Sequence, residues 1–458
     1  MKHTVFIKSL LIAGLTMSVF TGCGDSDSNN NDTEDKISVL SPAQIVQKSE
    51  ADYNNNMKGV ITAQTLTHWM DDWQANKPAS VTDGRLIVLQ AGPTTLGADK
   101  AYLKGNGTDV LVYDIGAAGA CDPSYKRFDG FSMNYGALLS GEQMDYRING
   151  FQLDPEKDFL VVAIGDSSVN IREITRTWWV LAYWGWDLDR LAFLNGSVSY
   201  NFAPSSNLDN YLTDAWQPPQ PTQEFHMYTL KTDRTSLHIY TKEMMDVIKQ
   251  GGEFIADARG DDEFDGSAKS KSHSLTCGPN HDQQCYTAYR GNIKGSVSFP
   301  YTDILIMDDQ QEDINGDGAI DASDSSFKFK SPADLEALFA SKGYTEGKTV
   351  YAYCRTGRKA TLLTLASTVI LGYPVRMYDA SWISWGSMAY VSADANDSSI
   401  FPQDSIWRTD VSELSNVIAY NDANETEPQA SFEFDFSATD TNQIANEDKA
   451  YLQLGLSN

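Results

Sequence analysis

The run Val350-Tyr-Ala-Tyr353, followed by Cys354-Arg-Thr-Gly-Arg-Lys359 and then by an apolar segment, limits the possible fold more than any other stretch. Small and aromatic residues alternate up to Tyr353 and predict a buried strand. Residues 360–371 carry Leu362, Leu363, Leu365, Ala366, Val369 and Ile370 at helical spacing, and Gly372 stops them. Between strand and helix lies a tight loop that opens with a cysteine. Successive backbone N–H groups and the positive end of the following helix surround that position, and Arg355, Arg358 and Lys359 add charge. Such surroundings favour a thiolate and an anionic ligand.

Cys354-Arg-Thr-Gly-Arg-Lys-Ala360 resembles the active-site loop of the rhodanese sulfurtransferases. Three further segments are similar to that family and stand in its order: the opening strand Phe254-Ile-Ala-Asp257-Ala-Arg259, the turn Gly291-Asn-Ile-Lys-Gly295, and the closing strand and Ser-Trp turn of residues 375–385. Cysteine loops of this shape also serve phosphatases, which need an arginine six positions after the nucleophile. That position here is Ala360, so the loop suits a sulfane sulfur better than a phosphate.

A strand–helix–strand order also runs through residues 158–164, the Trp-rich segment 176–185 and residues 191–196. This repeats the pattern around Cys354 and is an internal duplication. It resembles the first half of two-domain rhodaneses. The matching loop, Gly165-Asp-Ser-Ser-Val-Asn170, has no cysteine and no cationic cluster, and Gln90 stands where the second half has Asp257. The first half is therefore expected to be a non-catalytic partner shaping one wall of the cleft, with Ser167 a weak alternative nucleophile. The expected fold class is α/β, with two tandem rhodanese-like domains. Each is a mostly parallel sheet flanked by helices, and the second carries a calcium-loop insertion. The expected boundaries are 41–200 for the first domain, 201–233 for a linker containing Pro218, Pro219 and Pro221, and 234–393 for the catalytic domain. An acidic extension, 394–458, follows, with a β-like run at 430–436.

The net charge of −27 over 458 residues argues against nucleic acid and against an anionic membrane surface as partners. Lys2, His3 and Lys8 precede an apolar run at 10–20, too short to span a membrane, and then Thr21-Gly22-Cys23. This resembles a bacterial lipoprotein signal (1–23) with Cys23 as the lipidated residue, and the polar segment 24–40 reads as a flexible tether. A lipid-anchored place in the cell envelope is expected, with the outer membrane or cell surface favoured. A cleaved signal and a free secreted chain is the alternative.

Residues 313–324 place Asp313, Asn315, Asp317, Ala319, Asp321 and Asp324 at positions 1, 3, 5, 7, 9 and 12, with Gly318 at 6. This resembles EF-hand and dockerin loops, and hard oxygens at that spacing suit structural Ca²⁺. A solvated acidic loop is the plain alternative. His273, Cys277, His281 and Cys285 recur every four residues, but Gly278-Pro279 breaks any helix through them. In an exported chain a Cys277–Cys285 disulfide reads better than a soft-metal site. Cys121 is left alone. Trp178, Trp179, Trp382 and Trp385 read as core.

The resemblance implies a sulfurtransferase in which Cys354 takes a sulfane sulfur as a persulfide and passes it to a thiol, sulfite or cyanide. Arg355, Thr356, Gly357, Arg358 and Lys359 would hold a small anionic donor, and catalysis needs no cofactor. Glu263 stands where thiosulfate-using relatives often place an arginine, which predicts weak use of thiosulfate and better use of polysulfide. The alternative function is a persulfide or selenium carrier serving an envelope respiratory system.

Overall fold

The computed structural model describes residues 36–116, 125–166, 168–268, 270–271, 286–287, 290–388, 434–435 and 437–456. The readings made for Cys23, Cys121, Ser167, His273, Cys277, His281, Cys285 and most of the acidic extension fall outside those residues.

Two five-stranded sheets carry the chain. In the first half the strands are β1 (Gly59–Ile61), β2 (Leu86–Ala91), β3 (Val110–Asp114), β4 (Phe159–Ile164) and β5 (Leu191–Leu194). In the second they are β6 (His238–Ile239), β7 (Phe254–Asp257), β8 (Ser296–Ser298), β9 (Val350–Tyr353) and β10 (Val375–Tyr378). All neighbours pair in parallel. The spatial orders are β1-β5-β4-β2-β3 and β6-β10-β9-β7-β8, so both halves have one topology, 1-5-4-2-3. That identity is independent of side chains and establishes the duplication. The central strands β2, β4 and β9 are buried along their whole length, as strands of a parallel sheet covered on both faces are.

Among the described residues the α-helices of five residues or more are α1 (Ala63–Asp71), α2 (Gly141–Gly150), α3 (Ser168–Tyr183), α4 (Thr241–Gln250), α5 (Pro332–Ser341), α6 (Ala360–Leu365), α7 (Ser381–Trp385) and α8 (Gln443–Gln453). Helices α3 and α6 follow β4 and β9 and pack on each other, joining the two halves through one continuous apolar cluster. Trp178, Trp179, Trp382 and Trp385 are buried there and behind the second sheet.

Helix α6 departs from the expected run of 360–371. It ends at Leu365, and Ala366–Ile370 form a π turn before Gly372 (φ +72°). Thr364 and Thr368 return their hydroxyls to the carbonyls of Ala360 and Thr364. The amides of Gln47 and Ser49 then take the carbonyls of Thr368 and Ile370, so a segment of the first half satisfies the widened helix end. The N-cap of α4 is Tyr240, and the Thr241 hydroxyl is shared with Ser132 and Tyr378.

Residues 201–233 join the sheets while lying on them: Leu212–Thr213 pairs with Tyr102–Leu103, and Thr232–Asp233 with Ser38–Val39. The tail also returns. Phe434 bridges to Ser132, and α8 brings the buried Asp448 to Arg127 (2.7 Å) and Tyr183 (2.7 Å).

The insertion between β8 and α5 lies across the seam. Phe329 donates its amide to Asn195 Oδ1 (2.8 Å), Ser197 donates to the Ser326 carbonyl (3.0 Å), and Thr95 Oγ1 donates to the Ile314 carbonyl. The acidic loop within it is closed by its own amides. Asp313 accepts from Gly316, Asp317 and Gly318, and the buried Asp324 accepts from Ile314, Asn315 and Asp321. Gly316 (φ +73°) and Gly318 (φ +90°) make the turn possible. Among the described residues no three His, Cys, Asp or Glu side chains are placed to hold a metal ion. Nor, among them, is any helix long and apolar enough to cross a membrane.

Candidate active site

Cys354 lies immediately after β9, 1% exposed, with its loop running to Lys359. The loop is fastened from one side by the Ser-Trp turn after β10. Ser381 Oγ accepts from the amides of Cys354 (3.3 Å) and Gly357 (3.0 Å) while donating to the Tyr378 carbonyl (2.8 Å). Trp382 and Ile383 donate their amides to the carbonyls of Cys354 (3.0 Å) and Arg355 (3.1 Å). To make these bonds Ser381 sits at φ +55°, a costly conformation for a non-glycine residue. Among the described residues neither Arg355 nor Thr356 gives its amide to a protein acceptor, so these two donors stay available beside the sulfur.

Gly357 has φ +72°, and a side chain there would collide with Asp379 and Arg176. Both are fully buried and paired, with Arg176 Nη1 at 2.5 Å from Asp379 Oδ1 and Nη2 at 3.1 Å from Oδ2. Arg176 also donates to the Gly357 carbonyl (3.2 Å) and to that of Gly136 (2.8 Å). Asp379 completes its set with Asn134 Nδ2 and the Leu138 amide. The floor of the cysteine loop is thus a charge pair shared between halves. Neither member stood out in the sequence, although Arg176 precedes the Trp-Trp pair and Asp379 precedes the Ser-Trp turn.

The three loop cations have different fates. Arg358 Nη1 lies 3.0 Å from Glu173 of α3, and Lys359 Nζ lies 3.7 Å from Glu263. Among the described residues Arg355 has no ion-pair partner. Glu263 therefore faces the loop, and Ser270 Oγ lies 3.3 Å from it. Ser270 in turn receives Arg259 Nη1 (3.1 Å). Arg259 is buried against Asp257 (2.6 Å) and the Trp382 ring (4.4 Å) and donates to the Gly291 carbonyl (2.6 Å), so the opening strand and the glycine turn are locked together. In the first half the equivalent Gln90 is neutral and spends its amide on Gly92, Ala101 and Leu103. The first-half loop is closed as well, since Ser199 donates both amide and hydroxyl to the Gly165 carbonyl.

Two copies of one parallel α/β topology, with a cysteine loop only in the second, define the class: a tandem parallel α/β fold with a cysteine loop in one half. No family model matches the chain. In sequence it is 28% identical over 162 residues to a protein of Mycolicibacterium smegmatis named "Putative thiosulfate sulfurtransferase", covering 35% of this chain and 48% of the relative. A protein of the same name from Haloferax volcanii is 26% identical over 235 residues, covering 51% of this chain and 68% of the relative. The chain thus spans about half the length of the first relative and about two thirds of the second. Among solved structures it is similar to the Tum1 protein of Saccharomyces cerevisiae, with a TM-score of 0.47 and 16% identity, over 72% of this chain and 94% of that one. In sequence the chain is thus similar to proteins named as thiosulfate sulfurtransferases.

Behind the ion pair, His238 Nε2 lies 3.8 Å from Asp379 Oδ2, with the His238 ring packed on Tyr240. Burial outweighs the pull of Asp379 and pushes the imidazole pKa down to about 3. The folded value is below the unfolded one, so this group's contribution is fully present above about pH 6.5 and is lost as pH falls toward 3. Stability measured by urea melts should fall by up to about 1.4 kcal/mol per pH unit from this group in that window. His238→Phe should remove one proton's worth of that slope. An unchanged slope between wild type and variant would show that His238 titrates normally in the folded protein.

Proposed function

We propose that this chain is a sulfurtransferase with Cys354 as its nucleophile. The observation that carries the reading is the position of Cys354 at the start of a β–loop–helix turn, where among the described residues the amides of Arg355 and Thr356 are unspent and the Arg355 guanidinium has no ion-pair partner. The names of the sequence relatives support it. The Cys354 thiolate attacks the outer sulfur of an anionic donor, forms a new S–S bond and breaks the old one. Thiosulfate releases sulfite in this step, and a polysulfide releases a chain shorter by one sulfur. An acceptor thiolate, sulfite or cyanide then attacks the outer sulfur of the Cys354 persulfide and restores the thiolate, a two-step exchange with ping-pong kinetics. The loop amides stabilise the anionic persulfide, and no histidine or organic cofactor takes part.

The donor is one of diffuse charge. Glu173 and Glu263 already neutralise Arg358 and Lys359, which leaves Arg355 as the excess cation. The Glu263 carboxylate repels a compact dianion by an amount on the order of 1 kcal/mol at such partly exposed separations, offsetting part of the pull of Arg355, whereas an extended polysulfide spreads its charge away from that carboxylate. Calcium in the 313–324 loop would be held by the oxygens of Asp313, Asn315, Asp317, Ala319, Asp321 and Asp324. Its role there would be structural, because the insertion ties the two halves at Thr95, Asn195 and Ser197.

Cys354→Ser should abolish both the mass gain of one sulfur atom after incubation with donor and donor-dependent turnover, without loss of the fold. Retained turnover in that variant would refute the assignment, and a persulfide that forms but does not turn over would mark a carrier. Glu263→Arg should raise kcat/KM for thiosulfate more than for polysulfide. Equal gains for the two donors would remove Glu263 from the choice of donor. Excess chelator should lower the melting temperature, and Asp317→Ala should abolish that response. A wild-type melt unmoved by chelator would leave the loop as a turn closed by its amides alone.

A further inference from the structure

Arg176 is an unusual residue to find beneath a cysteine loop, because it comes from the half that has lost the chemistry. It projects from the middle of α3, is fully buried, and meets the loop only through backbone. Its guanidinium joins three elements at once: Asp379 at the end of β10, the Gly357 carbonyl at the loop apex, and the Gly136 carbonyl in the hairpin strand Met133–Ala137. A planar fork with several donors can do this, whereas a single ammonium cannot reach all three in one geometry. Gly357 rests so closely on the pair that only a glycine fits. From the opposite side the Gly357 amide is held by Ser381, whose hydroxyl also takes the Cys354 amide. The direction of the Cys354 side chain is thus fixed by a peptide clamped on its carbonyl side by the first half and on its amide side by the second.

We propose that Arg176 is a positioning residue for Cys354, and that supplying it is what the first half does for the reaction. This rests on the sulfurtransferase reading for its chemistry but not for its geometry. Two neighbouring contacts reinforce the clamp at the base of α6: Thr175 and Thr361 share a hydroxyl hydrogen bond (2.8 Å), and Glu173 holds Arg358. Arg176 touches neither sulfur nor donor. Its effect is on where the thiolate points, and near-attack geometry is sensitive to displacements of about 1 Å.

The test uses the full chain and two variants, Arg176→Lys and the double variant Arg176→Met with Asp379→Asn. The first keeps a charge opposite Asp379 but not the bond to Gly357. The second leaves no buried charge, and such replacements are commonly tolerated by a fold. Three quantities are read: the cooperativity of the thermal melt, the second-order rate of Cys354 alkylation by iodoacetamide located by peptide mass spectrometry, and the rate of persulfide loading from inorganic polysulfide. In variants that melt cooperatively, alkylation and loading should both slow, loading by on the order of 100-fold, with donor KM little changed and Arg176→Lys less impaired than the double variant. Wild-type rates in either folded variant would overturn the proposal. Loss of the fold in both would also overturn it, by assigning the pair to stability alone. A wild type that never gains sulfur would instead refute the sulfurtransferase reading, and the alkylation rates would still decide the role of Arg176.

Discussion

A fully buried arginine and a fully buried aspartate can remain charged in a protein interior only if each saturates the other and their remaining valences are met. Arg176 and Asp379 approach that condition by drawing on both halves at once. The two terminal nitrogens of the arginine donate to Asp379, Gly357 and Gly136, while its buried Nε has no partner, and the aspartate accepts from Arg176, Asn134 and Leu138. Separation of the halves would strand both charges, so the seam has one register. The shape of the cysteine loop follows from that register, because Gly357 is seated on the pair and Ser381 holds it from above.

Two halves with one topology differ around their corresponding loops through a few side chains. In the second half Asp257 at the end of β7 recruits Arg259, which reaches the glycine turn and packs under Trp382. In the first half Gln90 occupies the corresponding place and binds three local backbone groups instead. Ser199 and the Gly165 carbonyl close the first-half loop, and the insertion from the second half lies against it through Thr95 and Ser197. One loop end is thus capped and the other is framed by cations.

Much of this was legible in the sequence because it is written in local patterns. A strand that stops at Tyr353, a loop that starts at Cys354 and an apolar helix that ends at Gly372 need only neighbours in the chain, and so do the Trp-rich helix and the buried strands around it. The short strands β6 and β8 and the hairpin 125–137 were missed: two or three residues give no period, and the hairpin strand Met133–Ala137 is buried with polar and small residues mixed in. The π turn at Ala366–Ile370 was missed for a different reason. Its carbonyls are satisfied by Gln47 and Ser49, some 320 residues earlier in the chain, and nothing near the helix announces them.

The same distinction applies to the site. Cys354 and its three cations could be listed from sequence, since composition near a cysteine reports the charge available to it, whereas Glu263 was marked only by the family resemblance. The net field could not be, because Glu173 is 185 residues away from Arg358 along the chain and reads as an ordinary helix carboxylate. With Glu173 and Glu263 in contact with two of the cations, the loop is less electropositive than its own residues suggest, and Arg355 is left to set the pull on an anion. The surroundings of Cys354 are therefore set not only by the loop that contains it but also by two residues of α3, Glu173 and Arg176. One trims its charge and the other supports its backbone.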